Sequence, residues 1–154
     1  MSLALANTLS FIPSMGFLYL LGDGILAQKT KYLIHAVLYL IVTHSTNWIK
    51  ILMKPHLKKW AWMKRPAAAC DCNLTNQGGK VGGEPGFPSG HMTSTTFLLT
   101  PFWLRGSLPT TWFVGVIAAV AWARWYKSCH NVPQILGGIT FGCVAAYLLR
   151  SFIT

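Results

Sequence analysis

Two histidines in this chain stand beside groups that hold anions. His91 closes the run Pro88-Ser89-Gly90-His91, and His130 follows Arg124 after five intervening residues. A third cluster, upstream, is Lys58 followed after six residues by Arg65-Pro66. Together these bring two guanidinium groups, an ammonium, a hydroxyl and two imidazoles. That inventory suits phosphoryl transfer. Arginine binds phosphate oxygens through a planar fork, and lysine adds a mobile point charge. Ser89 suits a helix N-cap, where the following backbone amides point at an anion, and Gly90 lets the chain approach closely. Of two histidines, one can attack phosphorus and the other can protonate the leaving oxygen. Fixed cations can stabilise the equatorial oxygens without a metal, so no metal site or cofactor is expected.

The elements that must position these groups are apolar. Hydrophobic residues make up 53% of the 154 residues and charged ones only 10%. A soluble domain carries about 25% charged residues, so this chain is expected to sit in a membrane. Seven Trp, five Tyr and eight Phe fit the interface of a bilayer. Five apolar segments are expected as helices: Phe11 to Ala27, interrupted by Pro13 and several Gly; Tyr32 to Met53; Ser89 to Leu104; Thr110 to Tyr126; and Pro133 to Ile153. A span needs about twenty residues, which the second and fifth meet; the others are short. Helices are the element that satisfies backbone groups in lipid, so the fold is read as all-α, a multi-pass transmembrane helical bundle of about five spans forming one integral membrane domain over residues 1–154.

With five spans, the polar loop from Lys54 to Pro88 and the loop after Tyr126 share one side, which gathers all three clusters. Nine of the thirteen basic residues lie on that side. Counted naively they make it cytoplasmic, yet several of those charges have chemistry to do. The net charge of +10 would suggest nucleic acid in a soluble protein. Beside apolar spans it suggests instead a belt attracted to anionic lipid headgroups, a site for a phosphorylated ligand, or both.

Three motifs in order, correctly spaced, resemble the type 2 phosphatidic acid phosphatase superfamily of membrane lipid phosphatases, whose motifs read KxxxxxxRP, PSGH and SRxxxxxHxxxD. The matching stretches are "KKWAWMKRP", "PSGH" and "ARWYKSCHNVPQ", between Lys58 and Gln134. The resemblance implies a helical bundle with six core helices and hydrolysis of a lipid phosphate or a lipid or polyprenyl pyrophosphate through a phosphohistidine. It implies His130 as nucleophile and His91 as general acid, with Lys58, Arg65, Ser89, Gly90 and Arg124 holding the phosphate. The implied partners are the lipid phosphate substrate and the surrounding membrane lipids, not nucleic acid; no oligomeric state is implied.

The resemblance departs at two positions. Ala123 stands where the family has Ser. Gln134 stands where it has the Asp that orients the nucleophile. A Gln carbonyl can accept from the His130 Nδ1 proton and fix the tautomer, but it supplies no negative charge. In a Ser-His-Asp triad the corresponding change to an amide lowers turnover by about ten-thousandfold. Asp71 and Glu84 are the acids on the same side that can replace it. Two outcomes follow: a working lipid phosphatase, or a catalytically impaired member retained as a structural or lipid-binding membrane protein. A gain on Gln134→Asp is expected to mark a handicapped enzyme.

The remaining residues read more plainly. Cys70-Asp71-Cys72 can be a ligand pair or one end of a bridge to Cys129, and no second tight pair completes a zinc site. Cys143 lies in an apolar run and reads as packing. His35 and His44 are expected to be buried and hydrogen-bonded, and Lys54, Lys59 and Lys64 to face the lipid surface. Asn73-Leu74-Thr75 matches a glycosylation sequon. No charged n-region or clean cleavage site precedes the first apolar segment, so no removable signal peptide is expected.

Overall fold

The structure is a computed structural model that describes residues 2–73 and 77–153. Leu74 and Thr75 of the sequon lie outside the described residues. The described residues form seven α-helices: α1 (Leu3–Ser10), α2 (Ile12–Leu26), α3 (Thr30–Met53), α4 (Gly90–Leu104), α5 (Thr110–Tyr126), α6 (Val132–Leu148) and a short α7 (Arg150–Ile153). No strand forms among the described residues, so the all-helical expectation holds.

Two of the expected segments differ. The first begins at Leu3, eight residues earlier, because the polar groups that obscure it are satisfied within the helix. Thr8 Oγ1 and Ser10 Oγ donate to the carbonyls four residues back, at 3.0 and 2.8 Å. A break at Phe11, just before Pro13, separates α1 from α2. The fifth segment does not run unbroken to Ile153; it breaks at Leu149. Leu3–Leu26 and Thr30–His56 are each long and apolar enough to cross a membrane. The three central helices, α4 to α6, have 15 to 17 residues, or roughly 23–26 Å at 1.5 Å per residue.

Helix α4 is the axis of the bundle. Every residue from His91 to Leu98 is buried, and α4 packs most extensively against α6, then against α3 and α5. Its hydroxyls do not interrupt it, because Ser94, Thr95, Thr96 and Thr100 each donate to the carbonyl four residues back. Close approach of α6 depends on small residues, the pattern Gly138-x-x-x-Gly142. A Cβ at Gly142 would overlap Thr96 Oγ1 and the Thr93 carbonyl, and one at Gly138 would crowd Met92 and the Ser89 carbonyl. Helix α3 joins from the other side. Thr43 Oγ1 and Ser94 Oγ are 2.9 Å apart, and Tyr39 donates to the Pro13 carbonyl at 3.0 Å.

The outward faces are apolar. Leu18, Leu26, Leu52, Trp112, Leu136 and Leu148 are all exposed, more apolar surface than a soluble monomer leaves open. His35 is buried between Phe97 and Phe102. His44, expected to be buried, is exposed on the outer side of α3, with Nδ1 2.9 Å from the Leu40 carbonyl.

The segment between α3 and α4 is not an open loop. After two short 3-10 turns, Lys54–His56 and Ala61–Met63, the chain folds back on itself. Arg65 N–H donates to the Glu84 carbonyl at 2.8 Å, the Arg65 carbonyl accepts from Gly83 N–H at 3.2 Å, and Val81 N–H bonds Ala69 O at 2.9 Å. A Cys72–Cys129 disulfide ties this excursion to the α5–α6 junction. Cys72 is therefore the end that bridges, while Cys70 and Cys143 are free thiols.

Candidate active site

His130 lies between two helix ends, and local chemistry fixes it there. Helix α5 ends at Tyr126, and Ser128 turns the chain with φ +54°. The N–H groups of Cys129 and His130 then both return to the Arg124 carbonyl, at 3.0 and 3.3 Å. One residue on, Asn131 caps α6. Its side chain accepts from Gln134 N–H at 3.1 Å, while Gln134 Oε1 accepts from Asn131 N–H at 3.4 Å, a capping box. Pro133 occupies the first turn, where its missing N–H costs nothing.

Gln134 is fully buried, and each end of its amide has a partner. Nε2 donates to the carbonyls of Trp62 (3.1 Å) and Lys64 (2.7 Å). Carbonyl oxygens only accept, so the amide orientation is determined: Oε1 faces His130 Nδ1 at 3.1 Å. An amide oxygen also only accepts, so Nδ1 carries the proton. On the other side of the ring, Arg65 Nη1 lies 3.3 Å from His130 Nε2 and donates to the Cys129 carbonyl at 3.0 Å. A guanidinium only donates, which assigns Nε2 the lone pair. Both neighbours select one tautomer, with the unprotonated Nε2 beside the Arg65 guanidinium. Burial first, then Arg65, Arg124, Lys50 and His91, hold His130 well below the ordinary imidazole range, so the ring is neutral at pH 7.

Nδ1 is thus taken by Gln134, and neither acid replaces the expected Asp. Glu84 lines the cavity beside His130, and Asp71 Oδ1 accepts from Gly79 N–H at 2.9 Å. Gly86 makes the arrangement possible, because a Cβ there would collide with Gln134 Oε1 and Arg65 Cγ.

His130 lines a cavity of about 400 Å³, together with Lys50, Arg65, Gly90 and His91. His91 is buried, and its Nε2 has no hydrogen-bond partner among the described residues. Ser89 stands at the N-cap of α4, yet its Oγ makes no cap bond and is likewise buried without a partner. Buried polar groups are normally satisfied, so two such atoms at one helix start suit an anionic ligand. Among the described residues, no group of three or more His, Cys, Asp or Glu is placed to hold a metal ion.

Arg124 and Lys58 sit differently from what their motifs imply. Arg124 is fully buried behind the cavity, with Nη2 donating to the Cys72 carbonyl (2.7 Å) and Nη1 to Ser10 Oγ (3.0 Å). Its Nε alone lacks a partner. The hydroxyl that meets Arg124 comes from α1, 114 residues away in sequence. Lys58 is exposed in the turn after the first 3-10 segment and does not line the cavity. The cavity lysine is Lys50, a residue no motif marks.

The model of one family, described as the PAP2 superfamily, matches residues 31–154. No curated protein and no solved structure matches the chain.

Proposed function

Because the chain belongs to the PAP2 superfamily, whose membership supports a phosphatase-type function, we propose that it is a multi-pass membrane lipid phosphatase working through a phosphohistidine on His130. Its substrate is a lipid phosphate or a lipid diphosphate. The observation that carries this is the state of His130: one tautomer, neutral, with Nε2 facing a cation-lined cavity. A phosphate oxygen that takes over the Arg65 contact frees the Nε2 lone pair.

In the first step Nε2 attacks phosphorus while the bond from phosphorus to the leaving oxygen breaks. His91, which takes up its proton once the anionic phosphate is bound beside it, gives that proton to the leaving oxygen, and Gln134 Oε1 holds the Nδ1 proton of the charged ring. In the second step water attacks phosphorus, the P–N bond breaks, and His91 takes the proton from water. Inorganic phosphate leaves and both histidines return to their starting states. Arg65 and the first amides of α4 stabilise the equatorial oxygens.

The Cys72–Cys129 disulfide supports a site facing an oxidising compartment, since such bonds persist there. This reverses the side given by counting basic residues. Lys50 and Arg65 line the site, and they inflate that count.

The full chain, purified in detergent with a chelator, is tested against a panel of lipid phosphates and polyprenyl diphosphates. Phosphate is released from at least one, and His91→Ala and His130→Ala each abolish the release. Release that survives His130→Ala unchanged, or no release from any substrate, refutes the proposal.

A further inference from the structure

Helix α3 is apolar on its outer side, where Val37, Leu40, Ile41, Trp48 and Leu52 are exposed. Its inner side differs. Thr43, Thr46, Asn47 and Lys50 fall at i, i+3, i+4 and i+7, one face of a helix, and all four line the cavity that holds the two histidines. At the end of this stripe the Lys50 ammonium reaches the start of α4: a Cβ built on Gly90 would lie 3.8 Å from Nζ. It faces the same space as Arg65 and His130. The one ion pair among the described residues is Lys29–Asp23, so Lys50 has no carboxylate partner there. Glu84 lines the same cavity but forms no ion pair with Lys50, and an ammonium gathered with a guanidinium and an open helix N-terminus favours an anion between them.

We propose that Lys50, and not Lys58, is the lysine that binds the phosphoryl oxygens in this chain. The proposal rests on the phosphatase function above and names a binding group of that site. Arg65 comes to the cavity from the folded excursion, Gly90 from the start of α4, and Lys50 from the last turn of α3. A tetrahedral oxyanion between them meets a donor on each side. The motif spacing points to Lys58. However, the 3-10 turns between Met53 and Lys64 carry that residue outward, while Lys50 occupies the last turn of α3 and faces in.

The test uses the full chain in detergent, with orthovanadate binding followed calorimetrically and phosphate release followed in parallel. Lys50→Met weakens orthovanadate binding at least tenfold and raises KM, Lys50→Arg restores most of both, and Lys58→Met costs at least tenfold less than Lys50→Met. Thermal melts identify any variant that fails to fold, in which case Lys50→Gln takes its place. Wild-type binding retained in Lys50→Met, a larger loss at Lys58, or no orthovanadate binding by the wild type overturns the assignment. The two claims separate cleanly. Lys50-dependent binding without phosphate release refutes the hydrolase and keeps the lysine; release indifferent to Lys50 refutes the lysine and keeps the hydrolase.

Discussion

Replacing Gln134 by Glu changes one NH2 group to an oxygen and so tests what the amide does. Its oxygen accepts from His130 Nδ1, while its nitrogen donates to two carbonyls, Trp62 O at 3.1 Å and Lys64 O at 2.7 Å. In Gln134→Glu those two bonds vanish, and a carboxylate oxygen faces two carbonyl oxygens in a buried pocket. Each lost bond is worth about 0.5–1.5 kcal/mol, and each stranded buried acceptor costs about 1–3 kcal/mol. Against this, the bond to His130 gains charge assistance, about 1–2 kcal/mol. Summed, the losses are about 3–9 kcal/mol, so the net loss is at least about 1 kcal/mol, or about fivefold or more if it is expressed in kcat/KM. The added charge also raises the His130 pKa, so the loss is greatest on the acid side, where the ring takes up a proton. Gln134→Asp is shorter by a methylene and equally unable to donate, and it lowers activity as well. This inverts the expectation drawn from the family pattern, in which restoring the Asp rescues turnover. The assay is phosphate release against pH, with thermal melts in detergent. A rise in turnover for either acid would show that the amide clamp is not what orients His130.

Other changes follow from the same packing. Gly142→Ala drives a methyl into Thr96 and the Thr93 carbonyl, and overpacking of this kind costs about 1–3 kcal/mol; a lowered Tm in detergent reports it. Ser10→Ala removes the acceptor of a buried Arg124 N–H and costs about 1.5–3 kcal/mol of stability; the melt falls, and Ser10→Thr recovers part of the loss. Alkylation of the unreduced, denatured chain labels two cysteines, Cys70 and Cys143, and reduction raises the count to four. Mass spectrometry that finds four labels without reduction contradicts the Cys72–Cys129 bridge.

Much of the helical layout was legible because apolar runs bounded by turn residues need no tertiary information. Helices α4 and α5 begin and end within a residue of where their patterns place them. Helix α1 was hidden because Asn7, Thr8 and Ser10 dilute the apolar run, and only the back-bonded geometry shows the Thr8 and Ser10 hydroxyls satisfied. His91, His130, Arg65 and Gly90 were legible from spacing, since each lies beside an element boundary that spacing fixes in space. Lys58 and Ser10 were not. Whether a lysine in a chain of 3-10 turns faces in or out depends on turn geometry that spacing does not encode. A hydroxyl that reaches Arg124 across 114 residues leaves no local signal. The count of cysteines allowed a bridge to Cys129, but the choice of Cys72 over Cys70 depends on the fold of the excursion between α3 and α4.

The account stands or falls on His130 attacking phosphorus. Rapid-quench mass spectrometry of the full chain during turnover of a lipid phosphate, with the quench held alkaline to preserve P–N bonds, tests this directly. A phosphoryl group on the peptide containing His130, absent in His130→Ala and accumulating in His91→Ala with a good leaving group, is the predicted result. Turnover with no phosphoryl group on His130, or with the adduct on another residue, would contradict it.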